Sequence, residues 1–267
     1  MLYLLQIEFK KLRHYRTFWV IGGLYFLTLG MTTATGMEFL KMLVRLGAQF
    51  DTQVNINRIP IYHFPDVWHN LSYISGFFKI VLAMLVVISV TNEFTYRTLR
   101  QNVIDGLSRW EFLEAKILMN AVLSLVSVGM VFVIAFITGL IYTPEVNWSF
   151  AFGGIDFFAG YALEVFTYLS YALLLGIVIQ RSGLTIVLLL LSNMLEAIVK
   201  ANVDDLVPAA IQFFPMEAIS NLVPMPFPKY VFQEIQDYVS PLSAAIALGW
   251  AFLFNYFGYL KLKRSDL

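Results

Sequence analysis

EFTYRTLRQNVIDGLSRWEFLEAK, residues 93–116, lies between two very apolar runs of the chain. It holds four basic residues (Arg97, Arg100, Arg109, Lys116) and four acidic ones (Glu93, Asp105, Glu111, Glu114). Tyr96, Leu99, Val103 and Leu107 recur at spacings of three or four, which puts them on one helix face, with Arg97, Arg100 and Gln101 pointing elsewhere. Gly106 stands where a C-terminal cap would end that helix. Ser108 and Glu111 form the S-x-x-E capping box of a second helix, and Leu107 and Phe112 hold the positions of a hydrophobic staple. That second helix continues through Lys116 into the next apolar run. The pattern predicts a short amphipathic helix held by a tight corner between two long helices. A surface helix with no partner would show the same periodicity.

Outward from this stretch the chain is very apolar. Of its 267 residues 59% are hydrophobic and 13% charged, with a mean hydropathy of +0.71. Soluble domains are nearer 45–50% apolar and about 25% charged. The excess implies an all-α integral membrane protein forming a single transmembrane domain. Cysteine is absent, so disulfide frameworks and thiol chemistry are excluded. The N-terminus places an apolar start before Lys10, Lys11, Arg13 and Arg16, the reverse of a cleavable signal peptide.

A helix needs about 20 mostly apolar residues to cross the hydrocarbon. Six stretches meet or approach this: 17–37, 70–92, 117–142, 157–180, 184–199 and 241–262, the fifth being short. Six crossings put both termini on one side. With the N-terminus inside, the inner segments 1–16, 93–116, 180–183 and 261–267 hold 12 of the 18 Lys and Arg residues and 6 of the 18 acids. The excess of basic residues in short loops predicts that both termini are cytoplasmic.

Residues 1–16 read as an interfacial amphipathic helix, with Leu2, Leu5, Phe9 and Leu12 on one side and a basic flank. A plain basic flank orienting the first span is the simpler reading. Residues 38–69 are too polar to cross and fall outside. Their His63, Asp66 and His69 have a spacing that suits metal ligands on a helix face, but Pro65 would break that helix, so ordinary loop residues are expected. The second outer segment, 200–240, is semi-apolar and broken by Pro208, Pro215, Pro224, Pro226 and Pro228. It reads as short, re-entrant-like helices before the last span.

Three charges lie inside spans. Lys79 is about 21 Å from Glu93 along its helix, while Glu164 and Glu196 are about 25 and 22 Å from Arg181. Charges at such similar depth avoid lipid. Lys79 is expected to pair with Glu164 or Glu196, either as a polar layer along a substrate path or as a tie between helices.

The ordered set E-x-x-x-x-T-L-R, G-x-S-R and F-L-x-A-K is carried here by Glu93, Thr98, Leu99, Arg100, Gly106, Ser108, Arg109, Phe112, Leu113, Ala115 and Lys116. It resembles the permease subunits of bacterial ABC-2 type transporters. The basic N-terminal helix, the proline-broken segment and the C-terminal KLKRSDL extend the likeness along the whole chain. The family usually has Gly where this chain has Arg97. The resemblance implies that the loop between spans two and three is a coupling helix, docked on a separate ABC ATPase. Two permease chains, identical or not, would work with two ATPase chains in a bacterial inner membrane. ATP and magnesium would belong to the ATPase, since this chain has no G-x-x-x-x-G-K-[ST] loop and is not expected to be an enzyme. H-E-x-x-H and G-x-S-x-G are also missing, against a membrane hydrolase. The expected partners are thus the ATPase, a second permease, the bilayer and an extracytoplasmic protein, with no nucleic acid. The alternative is a membrane anchor that passes ATPase motion to that outer partner and moves no solute.

Overall fold

A computed structural model describes residues 2–45, 60–203, 207–231 and 236–265. The described residues form α-helices and 3-10 turns with no strand. The helices are α1 (Leu2–Arg13), α2 (Arg16–Arg45), α3 (Val67–Gly76), α4 (Lys79–Thr95), α5 (Thr98–Ile104) and α6 (Arg109–Tyr142). They continue with α7 (Trp148–Ala151), α8 (Asp156–Ile179), α9 (Ser182–Val203), α10 (Pro215–Ser220) and α11 (Pro241–Arg264). Among these, α2, α6, α9 and α11, with α8 taken together with α7, make five candidate spans, and the bent pair α3–α4 makes a sixth if counted as one.

The predicted boundaries shift at several places. The first apolar stretch continues as helix to Arg45, beyond the expected end at residue 37. The fifth reaches 22 residues in α9, so it is not short. Parts of both outer segments (46–59, 204–206 and 232–235) lie outside the described residues.

α8 is the hub, packing against α3, α4, α6, α9, α10 and α11. It approaches α4 closely at Gly176, where a Cβ would stand 2.4 Å from Val90 Cγ1. Small residues allow such contact between membrane helices, where lipid offers no hydrophobic drive to associate. Polar ties add to it: Ser127 of α6 lies 2.5 Å from the Tyr25 hydroxyl of α2 and 2.8 Å from that of Tyr161 in α8. At the far end from α5, buried Trp68 stacks on Phe132 and Phe152 and donates its indole N–H to the Ala151 carbonyl at 2.6 Å. The outward faces are apolar instead: Leu190, Leu191, Met194 and Ile198 of α9 and Phe252, Tyr256 and Phe257 of α11 are exposed. A bilayer supplies the solvent such faces require.

The span expected at 70–92 is broken by a 42° bend between α3 and α4. Phe77 and Phe78 donate to Ile74 and Ser75 at 3.4 and 3.0 Å, three residues back, so a 3-10 turn satisfies the backbone through the bend. Within the proline-rich segment, Pro208 and Pro215 start helices rather than only ending them, the first-turn position where a missing N–H costs nothing. α10 buries Met216, Ala218 and Ile219 against the bundle.

Candidate functional site

The charged stretch turns twice in a few residues. α4 ends at Thr95, and Arg97 adopts the left-handed conformation (φ 56°, ψ 21°) before α5 begins at Thr98. At the other end Gly106 takes φ 99°, where a side chain would be strained. There the Leu107 and Gly106 N–H groups donate to the Asn102 and Val103 carbonyls at 2.9 and 3.2 Å. These crossed bonds are a Schellman C-terminus. Ser108 then caps α6: its hydroxyl accepts from the Glu111 N–H, and the Glu111 carboxylate accepts from the Ser108 N–H at 2.8 Å. Phe112 is fully buried, with Leu107 packed on the same core.

The expected apolar face splits. Leu99 is 1% exposed, and Val103 and Leu107 are half-buried, so these three seat α5 on the bundle. Tyr96 does not share that face. The left-handed turn at Arg97 throws it outward, and it is 71% exposed. The surface presented to solvent includes Tyr96, Arg97, Arg100 and Ile104, the last of which the periodicity had not singled out.

Behind this surface lies a buried charge network. The Lys116 ammonium donates to Glu8 Oε2 at 2.6 Å, to Glu93 Oε1 at 3.2 Å and to the Ser89 hydroxyl at 3.3 Å. Lys11 bridges the same two carboxylates at 3.2 and 3.1 Å. Thr98, the first residue of α5, donates to Glu93 Oε2 at 2.6 Å. Two cations and two anions from α1, α4 and α6 therefore balance where α5 begins. Glu8 escaped the sequence reading, which set α1 on Leu2, Leu5, Phe9 and Leu12 and took Lys11 only as part of the basic flank. The packed face is Leu4, Glu8 and Leu12, while Phe9 is 49% exposed. Glu8, the single acid of α1, at four-residue spacing from two leucines, was the available signal.

Arg109, half-buried, does not join this network. Its guanidinium donates to the Leu262 and Lys263 carbonyls at 2.9 and 2.6 Å, closing the C-terminus of α11. Trp110 meets Tyr259 of α11 edge-on, with ring centroids 5.4 Å apart.

Deeper in the bundle Lys79 pairs with Glu164. The Lys79 ammonium also lies 5.5 Å from the centre of the Tyr168 ring. The pair borders a cavity of about 280 Å³ whose lining includes Tyr73, Tyr168 and Asn193. Glu196 does not join it. Its two oxygens accept the Met216 and Glu217 N–H groups, each at 2.7 Å, and so cap α10. Backbone donors at a helix start attract a carboxylate more than a lysine held elsewhere does.

His63, Asp66 and His69 do not converge. α3 begins only at Val67, after Pro65, so the three share no helix face, and His69, expected in a loop, is buried within α3. His69 stacks on Phe157 at 3.7 Å and bonds the Pro224 carbonyl, whereas Asp66 meets Lys229 at 3.0 Å. Among the described residues no three His, Cys, Asp or Glu side chains group as metal ligands. Burial alone would lower the Lys229 pKa, but the hydrogen bond and charge of Asp66, with Asp237 beside it, raise it above the ordinary lysine value.

Residues 2–267 match the family model described as ABC-2 family transporter protein. The chain belongs to that family. A comparison with curated proteins gave no match. An ABC-2 chain is thus a membrane transport protein, and its several apolar helices are those of a multi-pass permease.

Proposed function

We propose that this ABC-2 chain is the permease subunit of an ATP-driven exporter in a bacterial inner membrane, with the α5 end cytoplasmic and α5 seated on a separate ABC ATPase. The basic-residue count supports the orientation, since the inner segments hold 12 of the 18 Lys and Arg residues. One observation carries the docking reading. α5 is held rigidly through Leu99, the Gly106 turn and the Ser108 cap, while Tyr96, Arg97, Arg100 and Ile104 face out. Aromatic and arginine side chains on a fixed frame are the usual anchors of an interface.

Movement of α5 would reach the bundle by three routes. Thr98 and Glu93 lead to α4, Lys116 and Glu8 to α1 and α6, and Arg109 to α11. The cavity around Lys79 and Glu164 would line the substrate path, which favours transport over a bare anchor.

The test is copurification with the cognate ATPase. Arg100→Asp with Ile104→Asp alters only exposed positions and should lower the ATPase:permease ratio at least about tenfold, the loss expected when interface anchors go. Leu99→Asp is unsuitable because it puts a charge in the core. A full ratio in the double variant would sink the docking assignment.

A further inference from the structure

We propose that the crevice between α1 and α6 binds one anionic phospholipid from the leaflet at the α5 end. The crevice has a volume of about 390 Å³. Its floor is apolar, made by Leu5 and Phe9 of α1 and by Met119 and Val122 of α6. Its rim carries Lys10 and Arg13, both exposed and neither with an acidic partner among the described residues. The acid of the same helix, Glu8, is buried on the other face against Lys116 and Lys11. α1 therefore turns its negative charge inward and leaves two cations over a greasy trough.

The depth of the trough selects the ligand. α6 has 34 residues, so it is about 51 Å long and overshoots the hydrocarbon. With Tyr142 taken as the far edge of the hydrocarbon, about 30 Å of helical rise ends at Val122, which sets that residue at the boundary between acyl chains and headgroups. The Trp19 indole, exposed to the surroundings, donates to the Arg13 carbonyl at 2.9 Å. Indoles collect at that same boundary. Acyl carbon fits the floor, and a phosphate without a balancing amine fits the rim. Occupancy would press α1 onto α6 and so support the Glu8–Lys116 contact, making the corner sensitive to lipid charge.

The proposal rests on the membrane-spanning reading and is independent of ATPase docking, because it is read on the permease alone. Full-length permease in mild detergent is mixed with phosphatidylglycerol or with phosphatidylcholine of the same chains, and retained lipid is counted by native mass spectrometry. Each basic residue near an anionic site contributes about fivefold in affinity, so Lys10→Gln with Arg13→Gln should lower phosphatidylglycerol retention about 25-fold and leave phosphatidylcholine unchanged. Met119→Trp, which fills the floor without touching the charges, should reduce both lipids to the level of ordinary annular contact. The proposal fails if the native chain shows no preference, if the charge variant elutes normally yet keeps its phosphatidylglycerol, or if inorganic phosphate displaces the lipid. A full ATPase ratio in the Arg100→Asp, Ile104→Asp variant, with lipid preference intact, would overturn only the docking reading.

Discussion

Lys116 and Lys79 are both lysines held against glutamate inside the bundle, and they are built differently. Lys116 is 5% exposed, shares two carboxylates with a second lysine, donates to the Ser89 hydroxyl and meets, through Glu93, the Thr98 hydroxyl, on elements from α1 to α6. Lys79 has Glu164 and the face of Tyr168, and it borders a cavity. It is also the first residue of α4, where the positive end of the helix dipole repels a cation. Its partner lies against Gly76, where a Cβ would stand 2.8 Å from Glu164 Oε1 and force the carboxylate to shift. A satisfied network spread over several helices resists rearrangement. A single pair beside a 42° break can separate without collapsing its surroundings. The first arrangement suits a lock at the corner, and the second suits a part of the path that opens.

The sharpest way to break this comparison is Lys116→Met. It leaves Glu8 and Glu93 buried with only Lys11 between them, and the cost of stranding buried charge is about 3–5 kcal/mol. Thermal unfolding in detergent should fall steeply, and adding Glu8→Gln should recover part of the loss. An unchanged midpoint would mean that the network is solvated and is no lock.

The same operation at the other site should be milder. Lys79→Met should cost about 1–3 kcal/mol, below the usual figure for a broken buried pair because the lysine side chain is 17% exposed. Replacing Lys79 and Glu164 together by methionine should return stability close to the native value while transport in vesicles is lost. Exchanging the charges, Lys79→Glu with Glu164→Lys, should restore some transport. If the double methionine variant transports normally, the pair only ties helices together.

The contrast between the two sites was partly legible in the sequence. Local signals sit within a few residues of each other, so Gly106, Ser108 and Glu111 announced the turn and cap that the structure contains. Depth along a helix is linear in residue number, which brought Lys79 and Glu164 to the same level. What escaped depended on rotation and on distant chain. Nothing near Glu196 signals that its carboxylate meets the backbone of residues 216 and 217. The rotation of α1 was misread because one buried acid had been averaged into a basic flank. Tyr96 was put on the wrong face because a single left-handed residue resets the helical phase, and periodicity assumes an unbroken helix.

That residue, Arg97, provides the finest probe. The family pattern usually has Gly there, and the left-handed conformation explains why, since a Cβ in this region costs about 1–2 kcal/mol. Arg97→Gly removes this strain but also loosens the unfolded chain by about 0.4–1 kcal/mol. The net gain should be no more than about 1 kcal/mol, a rise of about 0–4 °C in unfolding temperature. Arg97→Ala loses the same guanidinium and keeps the strain, so it should melt below the glycine variant. If Arg97 contacts the ATPase, both variants should weaken copurification equally, although their stabilities differ. Equal melting of the two would show that the left-handed turn is not fixed in the native corner. Unequal ATPase binding would mean that the turn geometry, rather than the arginine charge, is what the partner reads.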